Sequence, residues 1–253
     1  MSILEELIDF ELSCFLLEVR TNFNLDQFEK LPNWQDKMNY ATQNLKELGR
    51  GSSRAAFLLS NRYVLKMALP EAGAKGIGQN KGEVTVWSNP EIKPYVAAVY
   101  KNDPKFEWII SEIARPMTSE KEIEQYAKIS WNVFDLLVQA QTKWQEVSSG
   151  LIEERQAAIQ KLQARLNTAQ DEQSKKALTD KIQNLTNVVN KINATINSEI
   201  FKGAIALVTK ANVSAGDVRE WSHWAKSADG RLIIIDYGFT KDLQDLYKPK
   251  QVA

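Results

Sequence analysis

The feature that most constrains the fold is a short apolar run that ends in an acid. Residues 232–235 are apolar and largely β-branched, and they lead directly into Asp236-Tyr237-Gly238. Such a run, closed by a glycine turn, predicts a buried strand that delivers one carboxylate into a turn. A second acid, Asp217, lies nineteen residues earlier in a segment predicted to be a loop. Two carboxylates positioned by rigid elements suit chemistry that needs a base and a metal ion.

Further upstream, a glycine-rich turn precedes a strand that carries a single lysine. Gly49 and Gly51 would allow the backbone to close over phosphates without side chains in the way. Lys66 follows among apolar residues, although a lysine in mid-strand is ordinarily an edge charge. A helix predicted over 79–88 then carries Glu83, seventeen residues after Lys66. Taken singly, each of these residues is common in proteins, and only their order along the chain indicates a function.

In that order, the residues resemble the motifs of the protein-kinase-like superfamily, which includes aminoglycoside kinases. The resemblance implies an α+β, bilobal protein-kinase-like fold that binds ATP between its lobes. Lys66, paired with Glu83, would hold the phosphates of ATP. Asp217 would orient and deprotonate an attacking hydroxyl, and Asp236 would bind Mg²⁺.

The resemblance also implies further nucleotide contacts. The loop residues that would cover the phosphates are Gly49, Gly51, Ser52, Ser53 and Arg54. Arg54 stands where the family has its third glycine, so either the loop is stiffer or Arg54 touches phosphate itself. A strand predicted over 106–113 would lead into a hinge, where the Glu112 carbonyl and the Ala114 amide read adenine. Ser111 would be the gatekeeper.

Several positions depart from the family pattern or stay open. Glu91 is an alternative helix partner for the strand lysine. The family's histidine before the catalytic acid is replaced by Ala215-Gly216. The asparagine that binds a second metal ion is replaced by Ser222 or by His223, depending on the direction of counting. His223 either packs between two flanking tryptophans or ligates metal, which leaves Mn²⁺ open beside Mg²⁺ because imidazole suits transition metals.

The stretch from 150 to 200 has a different character. Glycine and proline are absent after Gly150, and apolar residues recur at heptad spacing in two series. The first series is Ile152, Ile159, Leu162, Leu166 and Ala169, and the second is Leu178, Ile182, Leu185, Val189, Ile192 and Ile196. The two series are out of phase across 169–176. An inserted antiparallel coiled-coil hairpin, projecting about 30 Å, is therefore favoured over one dimerising rod.

The chain divides into five predicted segments. They are an N-terminal helical segment (1–47), a small lobe (48–116), the start of a large lobe (117–149), the hairpin (150–200) and the large-lobe catalytic segment (201–253). Further helices are predicted at 2–20, 33–48, 120–147 and 200–210, and further strands at 63–68 and 96–100. Fifteen residues follow Gly238. We therefore expect a reduced C-terminal lobe, with the peptide-substrate platform of ordinary protein kinases absent or replaced.

Composition narrows the class of partner. The 253 residues contain 32 basic and 32 acidic side chains, so no overall field favours nucleic acid or an anionic membrane. The single cysteine, Cys14, excludes an internal disulfide and fits a reducing cytosol, where it is expected to pack. No signal peptide and no apolar run of about 20 residues is visible. A cytoplasmic protein is expected.

Three functions are compatible with these features. The first is an ATP-dependent phosphotransferase acting on a hydroxyl of a protein or small substrate. The second is a catalytically weak pseudokinase that binds nucleotide and holds a protein partner through the hairpin. The third is a related transfer, such as nucleotidylation, on the same fold. The retained lysine and acids favour catalysis. Compact chains of this kind resemble those encoded by bacteriophages, which would place the protein in host cytoplasm.

Overall fold

The computed structural model describes residues 22–144, 147–241 and 243. Cys14 and the helix predicted over 2–20 lie outside the described residues. Two short helices come first, α1 (Leu25–Glu29) and α2 (Trp34–Asn44). Each begins at an asparagine whose side chain accepts a backbone hydrogen bond, which satisfies one unpaired N–H of the first turn. The helix predicted over 33–48 is therefore too long, because a strand begins at Lys46.

An antiparallel sheet of five strands follows, in the order β1-β2-β3-β5-β4. The strands are β1 (Lys46–Arg50), β2 (Arg54–Leu58), β3 (Tyr63–Ala68), β4 (Val99–Asn102) and β5 (Trp108–Glu112). β3 is central and buried throughout, so Lys66 is not an edge charge. Helix α3 (Ala74–Ser88) packs beside β3 and begins five residues before the predicted start. The strand predicted over 96–100 begins only at Val99, because Val96 forms an isolated bridge with Ile234 and does not join the sheet.

The register of the sheet separates its two faces. Ala56 lies opposite Lys66, and Arg54 lies opposite Ala68, so Arg54 and Lys66 project from the same face. That face is turned towards Glu83 of α3. The opposite face packs on α1 and α2 in a hydrophobic core that includes Phe28, Met38, Phe57, Leu65, Met67, Trp108 and Ile110.

The chain then passes through β6 (Arg115–Pro116) into α4 (Glu120–Ala127) and α5 (Trp131–Trp144). The single helix predicted over 120–147 is wrong, because the chain breaks between α4 and α5. Lys128 takes a left-handed conformation with φ of 55°. The Trp131 amide donates a 2.7 Å hydrogen bond to the Glu124 carboxylate, which fixes the start of α5.

Two long helices follow, α6 (Val147–Thr168) and α7 (Glu172–Asn197). They pack against each other and against α5. Asp171 caps α7 by accepting a 2.7 Å hydrogen bond from the Ser174 amide. Because residues 169–171 alone join two helices in contact, the two run antiparallel. Coiled-coil packing, and the status of the pair as an insertion, stay predictions.

The remaining elements are α8 (Glu199–Lys210), the short α9 (Ala215–Arg219), β7 (Trp224–Lys226) and β8 (Leu232–Ile234). β6, β7 and β8 form a second antiparallel sheet. Asp217 lies in α9 and not in a loop as predicted, because Ser214 caps a helical turn there. This part has its own hydrophobic core, which includes Phe134, Phe201 and Trp224. Within the described ranges, no helix is both long and apolar enough to cross a membrane.

Candidate functional site

The centre of the site is an ion pair between β3 and α3. Lys66 Nζ lies 3.0 and 2.8 Å from the two carboxylate oxygens of Glu83. Glu83 is completely buried and Lys66 nearly so. Lys66 Nζ also donates a 2.6 Å hydrogen bond to the Ile235 carbonyl, directly before Asp236. The structure thus brings three of the predicted residues, Lys66, Glu83 and Asp236, to one place.

Arg54 joins the same network from β2. Its Nη1 lies 2.6 Å from Glu83 Oε1, and its Nη2 lies 2.6 Å from Asp236 Oδ1. A longer contact of 3.4 Å reaches Asn80 on α3. The Arg54 side chain is 10% exposed. Two cations and two carboxylates therefore form one cluster with balanced charge.

The glycine loop covers this cluster. The Gly51 amide donates a 2.8 Å hydrogen bond to the Arg54 carbonyl, which closes the turn between β1 and β2. The Ser53 hydroxyl donates to Gln79 on α3 at 2.5 Å and ties the loop to that helix. A cavity of about 280 Å³ lies here, lined by Gly49, Gly51, Ser52, Ser53, Arg54, Ala55, Ala56, Lys66, Gln79 and Asp236. A larger cavity of about 540 Å³ lies along another face of α3 and contains none of the clustered charges.

Asp236 is positioned by the residues that follow it. The buried Tyr237 donates a 2.5 Å hydrogen bond from its hydroxyl to the Ala97 carbonyl. Gly238 packs so closely on α3 that a Cβ there would collide with the Gln79 carbonyl. Burial opposes ionisation of Asp236, but the positive charges of Arg54 and Lys66 outweigh it and lower the pKa of the carboxyl.

Asp217 lies in a segment anchored on both sides. Arg219 makes a forked ion pair with Asp135 of α5, at 2.5 and 3.1 Å. The buried Trp224 indole donates to the Val218 carbonyl at 2.9 Å. Asp217 Oδ2 is buried and has no hydrogen-bond partner among the described residues. Burial, together with the nearby charge of Asp236, raises the pKa of Asp217 to about 7, the range of a general base near neutrality.

The two candidates for the second metal position differ in accessibility. Ser222 is exposed, and its hydroxyl donates to Glu220 at 2.9 Å. His223 is half-buried, and its Nδ1 lies 3.1 Å from the Asp217 carbonyl oxygen. A proton on Nδ1 would satisfy that carbonyl and leave Nε2 as the ligating atom. His223 therefore adjoins the acids, but no group of three or more His, Cys, Asp or Glu in the described ranges is arranged to hold a metal ion.

The hinge residues and the alternative glutamate lie apart from the cluster. Glu91 is exposed and pairs with Lys210. The Glu112 side chain accepts from the Ala98 amide at 3.1 Å and pairs with Arg231 at 3.2 Å. Ala114 is half-buried. Ser111 is completely buried, and its hydroxyl has no hydrogen-bond partner among the described side chains and backbone. Adenine recognition by these residues stays a prediction.

Some residues of the site carry no sequence signal. Gln79 and Asn80 sit one turn before Glu83 and contact the loop residues Ser53 and Arg54. Asn80 also donates to the Phe106 carbonyl at 2.9 Å. A polar residue on a helix is ordinarily taken as solvent-exposed, so only the proximity of these two to Glu83 could have drawn attention to them.

No protein-family model and no curated protein matches the chain. Among solved structures, one similar chain is APH(2'')-IIa in a ternary complex with streptomycin and ATP, with 15% identity, a TM-score of 0.32, and coverage of 81% of this chain and 69% of that chain. Another is aminoglycoside phosphotransferase APH(2'')-Ib bound to ADP, with 14% identity, a TM-score of 0.33 and the same coverage.

Both neighbours were solved with an adenine nucleotide, ATP in one and ADP in the other. Identities and TM-scores this low support no inference about substrate or mechanism. The function of the chain must therefore be inferred from its own residues.

Proposed function

We propose that the chain is an ATP-dependent phosphotransferase that transfers the γ-phosphate of ATP to a hydroxyl of a protein or small-molecule substrate. One observation carries the proposal: the buried Lys66–Glu83 pair adjoins the glycine-loop cavity, whose wall also includes Asp236. An ammonium held beside a glycine turn provides a preformed place for phosphate oxygens. Contacts from β2, β3, α3 and the segment after β8 hold this place in a fixed geometry.

Each residue has a role in such a transfer. Lys66, held by Glu83, would bind the phosphates beneath Gly49, Gly51, Ser52 and Ser53. Asp217 would accept the proton of the attacking hydroxyl, since its Oδ2 is buried and lacks a hydrogen-bond partner. Backbone groups of Glu112 and Ala114 would contact adenine. Catalysis would come from positioning and from neutralising phosphate charge.

Asp236 is the residue that would hold the metal ion. Its side chain is 46% exposed, lines the cavity and offers carboxylate oxygens, the donors that Mg²⁺ prefers. Asp236 therefore offers a ligand that suits a hard divalent cation, which would supply charge neutralisation at the phosphates when bound. His223 would take the second position. If it does, Mn²⁺ should support activity better than Mg²⁺, because imidazole suits transition metals.

A pseudokinase is the second candidate, and one observation favours it. The Asp236 carboxylate is already paired with Arg54, so its negative charge is neutralised without a metal ion. In that case the chain would bind nucleotide and act through a protein partner, with α6 and α7 as the docking element. Either function would be exercised in cytoplasm, and in host cytoplasm if the chain is encoded by a bacteriophage.

The test is incubation with γ-labelled ATP and Mg²⁺ or Mn²⁺, with parallel samples in α-labelled ATP. We expect label from γ-ATP, and none from α-ATP, on the chain itself or on an added hydroxyl acceptor. Asp217→Ala and Asp236→Ala should each abolish it, whereas Asp180→Ala, an exposed acid on α7, should not. Transfer from α-labelled ATP would establish nucleotidylation instead. Nucleotide binding without any transfer would establish the pseudokinase.

A further inference from the structure

Arg54 lies where its side chain reaches the charged cluster of Glu83 and Asp236. It opens β2, two residues before Ala56, which lies opposite Lys66. Alternate residues of a strand face the same side, so the register carries Arg54 to the charged face beside Lys66. A glycine at this position could not place a charge there. The departure from the family's third glycine therefore adds a cation to the cavity.

The contacts of Arg54 join parts of the chain that are distant in sequence. Glu83 comes from α3, and Asp236 follows β8, 182 residues after Arg54. Both carboxylates are met at 2.6 Å by different nitrogens of one guanidinium. Glu83 has a second cationic partner in Lys66, whose Nζ lies 2.8 Å from its carboxylate. Asp236, by contrast, has a partly exposed side chain, so its carboxylate can exchange one cationic partner for another.

The cavity beneath the loop is where Arg54 would meet a ligand. Arg54 and Lys66 both line it, and so does Asp236. A polyphosphate entering this space brings several anionic oxygens to a guanidinium whose Nη1 contacts Glu83 and whose Nη2 contacts Asp236. Planar guanidinium groups bind phosphate through two parallel hydrogen bonds, a geometry that an ammonium cannot offer.

We propose that Arg54 exchanges Asp236 for the polyphosphate of the nucleotide and thereby acts as a second phosphate-binding cation beside Lys66. The inference rests on the proposed nucleotide site and deepens it. Before binding, Asp236 holds the guanidinium in place and keeps the cluster neutral. After binding, Arg54 neutralises phosphate charge and Asp236 is released.

A distinctive consequence is nucleotide binding without a divalent metal ion. Arg54 and Lys66 together supply positive charge that a site with only one lysine would have to obtain from a metal ion. Binding should therefore discriminate between triphosphate and monophosphate even in a chelator. AMP, which lacks the β- and γ-phosphates, should gain little from Arg54.

The experiment is calorimetric titration of ATP and of AMP into the full chain in EDTA, repeated for ATP with Mg²⁺. Arg54→Ala should weaken ATP binding in EDTA by at least about tenfold, as expected for loss of charge-assisted hydrogen bonds. Its AMP affinity should not change. The ATP affinity of Arg54→Lys in EDTA should lie between those of wild type and Arg54→Ala. The control is Arg165→Ala, because Arg165 is an exposed arginine on α6 that does not line the cavity.

Circular dichroism and a urea midpoint for each variant would show whether it is folded, and Arg54→Gln replaces the alanine variant if that one is not. Equal ATP affinity of wild type and Arg54→Ala in EDTA would overturn the proposal, as would wild-type binding that strictly requires Mg²⁺. A wild type that binds no ATP even with Mg²⁺ would overturn the nucleotide site itself, and the role of Arg54 with it.

Discussion

The replacement Asp217→Asn should stabilise the protein at alkaline pH while it removes the proposed base. The pKa of Asp217 is raised from its usual 3.8 to about 7, because the carboxyl is buried and lies near Asp236. An acid with a raised folded-state pKa favours the folded state below pH ~4 and loses that contribution as pH rises to ~7. Each pKa unit corresponds to about 1.4 kcal/mol, which sets an upper limit of ~4 kcal/mol.

Residual exposure of Asp217 reduces the effect through solvent screening, so about 1–3 kcal/mol is expected. The assay is urea unfolding of wild type and Asp217→Asn in EDTA at pH 4 and pH 8. The asparagine variant should gain free energy of unfolding relative to wild type between these two values, and the difference should level off above pH ~7. A difference that is the same at both pH values would refute the reasoning, as would an asparagine variant that is less stable at pH 8.

Two further changes test other parts of the structure. Glu83→Gln removes the buried carboxylate that Arg54 and Lys66 share, so the free energy of unfolding should fall by about 3–5 kcal/mol. A loss below about 1 kcal/mol in urea unfolding at pH 7 would show that the network is not needed for folding. Replacing residues 156–184, the distal part of α6 and α7, with a short Gly-Ser bridge should leave a folded chain whose melting temperature still rises with ATP and Mg²⁺, because Ile192 of the core is retained; failure to fold would show that this distal part is also needed for folding.

Local patterns in the sequence were sufficient to predict the elements that carry the site. The mid-strand lysine and the strand before Asp236 were each visible as a charged residue beside an apolar run, whereas Glu83 was assigned from its place seventeen residues after Lys66. Spacing along the chain then ordered them. The structure places Lys66, Glu83 and Asp236 in contact through shared partners, and Asp217 beside Asp236.

One misplaced boundary has a long-range cause and another has a local cause. Residues 46–48 were assigned to a helix, but pairing with β2 makes them a strand. The break at Lys128 depends on a left-handed residue and on the contact between Trp131 and Glu124. Arg54 was visible as a departure from a glycine pattern. Its two carboxylate partners were not, because neither lies near it in the sequence.

The central claim is that ATP binds beneath the glycine loop with its phosphates held by Lys66. Calorimetric titration of ATP with Mg²⁺ tests this claim most directly. Wild type should show a single site. Lys66→Met, which retains most of the side-chain volume, should weaken binding by at least about tenfold, the scale of a lost charged hydrogen bond. Lys161→Met, an exposed lysine on α6, should bind as wild type does. Absence of binding by the wild type, or equal affinity in Lys66→Met, would contradict the account.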